Sequence, residues 1–361
     1  MPDQWNGELV LFAHGVQLTG NEVIASPPEE ALRHAFISEG TAWAASSYSE
    51  ARYVPGIGAD DTMALLDQFT AQFGKPKRVF LYGVSMGGNV VALLMEHYPQ
   101  QFDGALAVCG AIGGEEELDY ITSWTMLGEF IGGVTLPIGQ GPTAVAGALL
   151  TLSSALGSPE SPTARGAQFA SAVKELTGGP RPFFKEGFRE QFTLNFGLLL
   201  FDPNRKSLGI AAATNTDARY GVEAGLGLTA AQLNAGVRRL PADPALRDAE
   251  AHPDAVPTTG RISRPMLTLH DTGDLFVPIT TEVDYRKKAD AAGAGGLLVQ
   301  RAIREAGHCK FSPVELTTAW DDLIAWVHDG KKPAGDDLTG DISDIGRQFT
   351  SPLRAGDPGN R

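Results

Sequence analysis

Three side chains in this sequence have the types and the order needed to turn a hydroxyl into a nucleophile: Ser85, Asp274 and His308. A serine hydroxyl attacks a carbonyl carbon only if a neighbouring base removes its proton, and that base must itself be oriented by an acid. Ser85 stands at the centre of Gly83-Val84-Ser85-Met86-Gly87, a G-x-S-x-G pattern. Before it, Arg78-Val-Phe-Leu-Tyr-Gly-Val84 reads as a strand without polar alternation, and residues 86–97 read as a helix. A sharp strand-to-helix turn forces such a serine into strained backbone angles and lifts its hydroxyl above the sheet. Side chains at positions 83 and 87 would collide with the neighbouring strand and helix, which is why both are glycine. The bland alternative is a glycine-rich turn whose serine merely caps the helix. That alternative predicts no partners downstream.

Partners are present. The stretch from Leu267 to Pro278 reads L-T-L-H-D-T-G-D-L-F-V-P, a strand followed by a turn that carries two acids, Asp271 and Asp274. Asp274 is the preferred acid, because it lies deeper in the loop, where a carboxylate can reach towards the next strand's end. Asp271 is read as a turn-former bonding its own backbone. His308, in Glu305-Ala306-Gly307-His308-Cys309, follows the acid and occupies the loop between the last strand and the last helix. His97 and His328 read as solvated helix residues, and His270 as a packed support at a strand end.

Charge that develops on a carbonyl oxygen needs donors. The Met86 backbone N–H is one, at a helix N-terminus that favours negative charge. The turn His14-Gly15-Val16, after the first strand, supplies the second from Val16, with Gln17 as the alternative. No Cys/His cluster has metal-ligand spacing and no glycine loop has phosphate-binding form, so neither a metal nor a cofactor is expected.

These residues need a scaffold of alternating short strands and helices, which predicts a mostly parallel sheet with helices on both faces. Strands are expected at 8–13, 41–46, 78–84, 103–109, 265–270 and 297–302. Helices are expected at 27–38, from Asp60 or Asp61 to about Phe73, at 86–97 and at 313–327. Between Gly113 and Gly260 the rhythm stops and helix-like pieces dominate (118–130, 144–156 and 164–176). The stretch is too long for a loop and predicts a separate helical lobe. The expected division is a core of residues 1–112 and 261–330, a lobe of residues 113–260, and a polar tail of residues 331–361 that is either disordered or wrapped on the surface.

The chain carries 43 acidic against 29 basic residues, a net charge of -14. Such a surface repels phosphate backbones and anionic lipid, so nucleic acid and membrane partners are not expected, nor is a spanning helix. No secretion signal is visible at the start, which fits either a cytoplasmic protein or an exported one with its signal removed.

His14-Gly15, the Gly83–Gly87 turn, Asp274 before Val277-Pro278, and Gly307-His308 together resemble the α/β-hydrolase superfamily. More narrowly, Trp5-Asn6-Gly7, AWAASSY at 42–48, FDGALAVCG at 102–110 and Gly307-His308-Cys309 resemble bacterial, often exported, esterase-like members of poorly defined substrate. The resemblance covers about residues 5–110 and 262–327. It implies an α/β-hydrolase fold whose large, mainly helical lid is inserted before the acid-bearing strand. The superfamily usually has two antiparallel strands before the His-Gly strand; here only seven residues precede it. Feruloyl esterases and tannases are similar in part, since they pair a cysteine beside the serine with one beside the histidine. Val84 occupies the first of those positions here. In that frame Cys109 and Cys309 are either bridged, fixing the His308 loop, or two buried thiols.

The expected function is hydrolysis of a small-molecule carboxylic ester through an acyl-enzyme on Ser85. Peptide or amide cleavage and acyl transfer are alternatives on the same three residues, and a non-catalytic binding protein is a fourth reading. Trp124, Phe130, Phe183, Phe184, Phe192 and Phe196 of the lobe could line an acyl pocket or form the lobe's own core.

Overall fold

The computed structural model describes residues 1–17, 22–138, 140, 142–200, 212–247 and 256–352. Six strands form one sheet: β1 (Glu8–Ala13), β2 (Ala42–Ala45), β3 (Arg78–Val84), β4 (Gly104–Val108), β7 (Met266–Gly273) and β8 (Leu298–Ala306). Their order is β2-β1-β3-β4-β7-β8, and every pairing is parallel. Parallel neighbours require crossovers, which bury both faces of the sheet. Strand β1 shows the result residue by residue. Leu9, Leu11 and Ala13 face one core, while Val10 and Phe12 face the other.

The first face packs α2 (Pro55–Phe73), α3 (Met86–His97) and α10 (Thr280–Ala291). The second packs α1 (Glu30–Ser38) and α11 (Pro313–Asp329), with Phe36 edge-on to Trp320 at 4.6 Å between ring centroids. Helix α11 begins in a capping box, Ser312 with Glu315. Two helix starts differ from expectation. Helix α2 begins at Pro55 rather than near Asp60, because the fixed φ of proline suits the first helical position and Val54 before it is non-helical. Helix α1 begins at Glu30, after Pro27 and Pro28.

Between β4 and β7 the described elements are α4 (Glu116–Gly132), α5 (Pro142–Leu156), the two-stranded β5 (Gly157–Ser158) and β6 (Ser161–Pro162), α6 (Ala164–Leu176), α7 (Phe184–Leu200), α8 (Ala230–Gly236) and α9 (Pro244–Arg247). Their aromatic side chains pack on one another. Trp124 lies against Phe169, Phe188 and Phe196, and Phe192 lies edge-on to Phe196. These rings form the insertion's own core.

Beyond α11 the chain runs along β8. The Asp336 N–H donates to the Gln300 carbonyl at 2.7 Å, the Asp336 carboxylate accepts from Ala302 N–H at 2.8 Å, and Thr350 Oγ1 accepts from Arg304 N–H at 2.7 Å. Leu338 and Ile342 are buried with Ile279 and Ala302. The described part of the tail is therefore wrapped on the sheet; residues 353–361 lie outside the described residues. No helix among the described residues is long and apolar enough to cross a membrane.

Candidate active site

Ser85 has φ 58° and ψ -122°, between β3 and α3. Positive φ is unusual outside glycine, and here the packing around the turn enforces it. A Cβ on Gly83 would lie 2.2 Å from the Gly87 carbonyl oxygen, and one on Gly87 would lie 1.9 Å from that of Ala13. The two glycines are thus required by the neighbouring strand and helix, as the motif's mechanics demand. Of the five described non-glycine residues with positive φ, four cluster here: Tyr48, Ser85, Cys109 and Cys309.

His308 Nε2 lies 2.8 Å from Ser85 Oγ, and His308 Nδ1 lies 2.5 Å from Asp274 Oδ2. With Nδ1 protonated, the ring donates to the carboxylate and accepts the serine hydroxyl proton; this tautomer follows from the partners. Asp274 is fully buried, and its Oδ1 accepts from the Phe276 and Val277 N–H groups at 2.9 and 3.1 Å. Three fixed donors therefore hold the carboxylate. The Phe276 ring stands edge-on to His308 at 4.9 Å.

Asp271 does something other than brace its own turn. Strand β7 runs on to Gly273, so Asp271 is a strand residue, fully buried, and its Oδ2 accepts from the Lys310 N–H at 2.7 Å. It fastens the loop that carries His308. Burial pushes its carboxyl well above the usual range, an effect the Lys310 N–H opposes and the charge of Asp274 strengthens. His270 is packed as expected: Nε2 is 2.8 Å from the Val277 carbonyl, and Nδ1 is 3.5 Å from the buried Glu282 carboxylate. His97 is exposed, whereas His328 pairs with Glu8 at 2.9 Å rather than standing free in solvent.

The first-strand turn lies against the serine: a Cβ on Gly15 would come within 3.1 Å of Ser85 Cβ. His14 Nδ1 is 2.7 Å from the Gly15 carbonyl oxygen, and its ring stacks on Tyr48 at 4.1 Å. Burial lowers the His14 pKa, so the ring stays neutral and donates to that carbonyl. Because the N–H and C=O of a trans peptide point in opposite directions, the Val16 N–H faces away from the His14 ring. Val16 shares a small pocket with Ser85 and Met86, walled also by Tyr53, Ala111, Glu117, Leu118, Ile121, Phe276 and Val277. The pocket has room for little more than one water. The Gln17 side chain instead donates to the Ile24 carbonyl at 2.7 Å.

Sequence reasoning missed the side chains that bind the acid loop from the insertion. Leu275 N–H donates to Gln191 Oε1, and the Leu275 carbonyl accepts from Tyr120 Oη at 2.6 Å and from Asn195 Nδ2. Arg181 Nε donates to the Thr272 carbonyl at 2.7 Å. Gln191 and Asn195 are four apart on α7, and both are buried. Only that spacing of two polar residues on a helix rich in phenylalanine hinted at them.

Cys109 and Cys309 are joined by a disulfide across 200 residues. With His308 they are the one described group at metal-ligand distances, but sulfurs bonded to each other offer no thiolate.

A parallel sheet with a serine at a β3–α3 elbow, an acid after β7 and a histidine after β8 decides the architecture. This is the α/β-hydrolase fold. A family model described as serine aminopeptidase, S33, matches residues 53–147 of this chain. An o-phthalyl amidase of Xanthobacter agilis is 28% identical over 142 residues, which is 39% of this chain and 31% of that protein. Among solved structures, Candida antarctica lipase A aligns with TM-score 0.47 and 14% identity, over 97% of this chain and 76% of that one. A Pyrococcus furiosus esterase aligns with TM-score 0.42 and 10% identity, over 91% and 84%.

Proposed function

We propose that the protein is a serine hydrolase that cleaves a carboxylic ester through an acyl-enzyme on Ser85. The observation that carries this reading is the unbroken chain from Ser85 Oγ through both His308 nitrogens to the buried Asp274 carboxylate. Ser85 attacks the ester carbonyl as His308 Nε2 takes its proton. The oxyanion of the tetrahedral intermediate is held by the Met86 and Val16 N–H groups, each worth on the order of 10²–10³ in rate. His308 then gives the proton to the leaving alcohol, and Asp274 stabilises the imidazolium between the two transfers. Water, activated by the same ring, releases the acid.

Residues 113–260 act as a lid over a core of residues 1–112 and 261–330. Support comes from Glu117, Leu118 and Ile121 of α4, which wall the pocket in front of Ser85. With so little free space there, an acyl group must part these side chains from Val16 and Phe276.

Amide cleavage is the second reading, favoured by the similarity to the o-phthalyl amidase. Turnover of short and medium p-nitrophenyl esters, compared with matched anilides, separates the two. Loss of turnover in Ser85→Ala, with fluorophosphonate labelling of the native protein, is the expected result. A folded native protein with neither turnover nor labelling would move the assignment to a binding protein.

A further inference from the structure

Helix α4 opens with three acids in its first turn, Glu116, Glu117 and Asp119. Such acids suit a helix N-terminus in general. Two of them are used on the outside: Glu116 pairs with Lys288 at 2.5 Å and Asp119 with Arg247 at 2.7 Å. Glu117 is turned the other way. It is 3% exposed, both of its carboxyl oxygens are buried without a hydrogen-bond partner among the described residues, and it lines the pocket that contains Ser85. Apart from Ser85, and Tyr53, whose hydroxyl accepts from Asn89, the surrounding walls are apolar. No described residue bonds to this carboxyl, and a buried polar group without a partner is costly.

We propose that Glu117 selects the substrate: the acyl group delivered to Ser85 carries, on an otherwise apolar chain, a neutral substituent that both gives and accepts a hydrogen bond, a hydroxyl or a carboxamide. This rests on the serine-hydrolase reading and narrows its substrate. Burial and the negative charge of Asp274 both hold the Glu117 carboxyl in its neutral form. A neutral carboxyl presents an O–H donor beside a carbonyl acceptor, and hydroxyls and carboxamides match that pair. An anionic substituent would meet the field of Asp274. An ammonium would lose its water against apolar walls. The carboxyl is also pre-positioned, because Tyr120, three residues along the same helix, is bonded to the Leu275 carbonyl.

The test compares kcat/KM for the p-nitrophenyl esters of butyrate, 3-hydroxybutyrate, succinamate, hemisuccinate and β-alanine. The native protein, Glu117→Gln and Glu117→Leu are assayed, with folding checked by thermal melts. The hydroxy and carbamoyl esters should exceed butyrate by about tenfold or more in the native protein. Glu117→Gln, which keeps a donor beside an acceptor, should preserve the order, and Glu117→Leu should abolish it. An order untouched by Glu117→Leu, or a native preference for the hemisuccinate or the ammonium ester, overturns the inference. Binding separates it from the parent reading. Ser85→Ala should bind ethyl 3-hydroxybutyrate more tightly than ethyl butyrate, and Ser85→Ala/Glu117→Leu should not. Equal binding sinks the inference whether or not any ester is turned over, whereas absent turnover with Glu117-dependent binding sinks only the hydrolase reading.

Discussion

Cys309, the residue after His308, is bonded to Cys109, the residue after β4, the strand beside the one that leads to Ser85. The bridge ties the loop of the proposed base to the loop that follows the strand beside the nucleophile strand, and both cysteines have positive φ. Closing about 200 residues should stabilise the fold by roughly 5 kcal/mol at most on loop entropy. Its local effect should be larger on chemistry than on binding. Reduction, or Cys309→Ser, is expected to lower kcat about 10- to 100-fold with KM changed little, alongside a lower Tm. Thiol titration with steady-state kinetics checks this; full kcat in a protein shown to carry two free thiols would contradict it.

Asp274 and Asp271 should separate cleanly by mutation. Asp274→Asn removes the charge that stabilises the imidazolium and upsets the tautomer of His308, so kcat should fall by about 10³–10⁴. Asp271 is held neutral by burial, which makes Asn a near replacement. Asp271→Asn should therefore cost less than about tenfold in kcat. Asp271→Ala leaves the Lys310 N–H unpaired and should cost about 1–3 kcal/mol of stability. Equal activity losses in the two Asn variants would refute the assignment of roles.

His14 should act through the peptide it holds. His14→Phe keeps the stacking on Tyr48 but removes the donor to the Gly15 carbonyl. Loosening the Val16 N–H should cost about 10- to 100-fold in kcat, below the cost of deleting an oxyanion donor outright. The decisive reading is kcat against KM: a change confined to KM would remove His14 from this role.

His270 predicts a pH dependence of stability. Burial alone would lower its pKa, but the Glu282 carboxylate outweighs that, with Asp274 and the Val277 carbonyl adding, so the net shift is upward. The folded protein then binds the proton more tightly than the unfolded chain. The stabilisation is complete below the unfolded value of about 6.5 and is lost as pH rises through the higher folded value. His270→Gln should flatten the decline in Tm from pH 6 upward. An unchanged slope would show that the pair does not titrate.

The sheet and the three proposed catalytic side chains were legible because each is tied to a local pattern. The uninterrupted apolar run of β3, the glycines at 83 and 87, and the strand-exit positions of Asp274 and His308 all lie within a few residues of their neighbours in sequence. What was not legible depends on long-range contact. Asp271 reads as a turn-former until β7 is seen to extend through it to Gly273. Glu117 reads as a first-turn acid until its direction is known. Gln191, Asn195 and Tyr120 look like ordinary helix residues, yet they meet at the backbone of Leu275, 80 or more residues away.

Asp336 and Thr350 occupy backbone groups of β8, the last strand of the sheet, and the Arg301 guanidinium lies over Phe349 at 4.3 Å. A bordering strand with open N–H and C=O groups is a template on which another molecule's strand can grow. By filling those positions from within the same chain, the segment after α11 turns a potential seed for self-association into a finished surface. What reads from the sequence as a polar appendage should therefore limit self-association at high concentration, independently of anything that happens at Ser85.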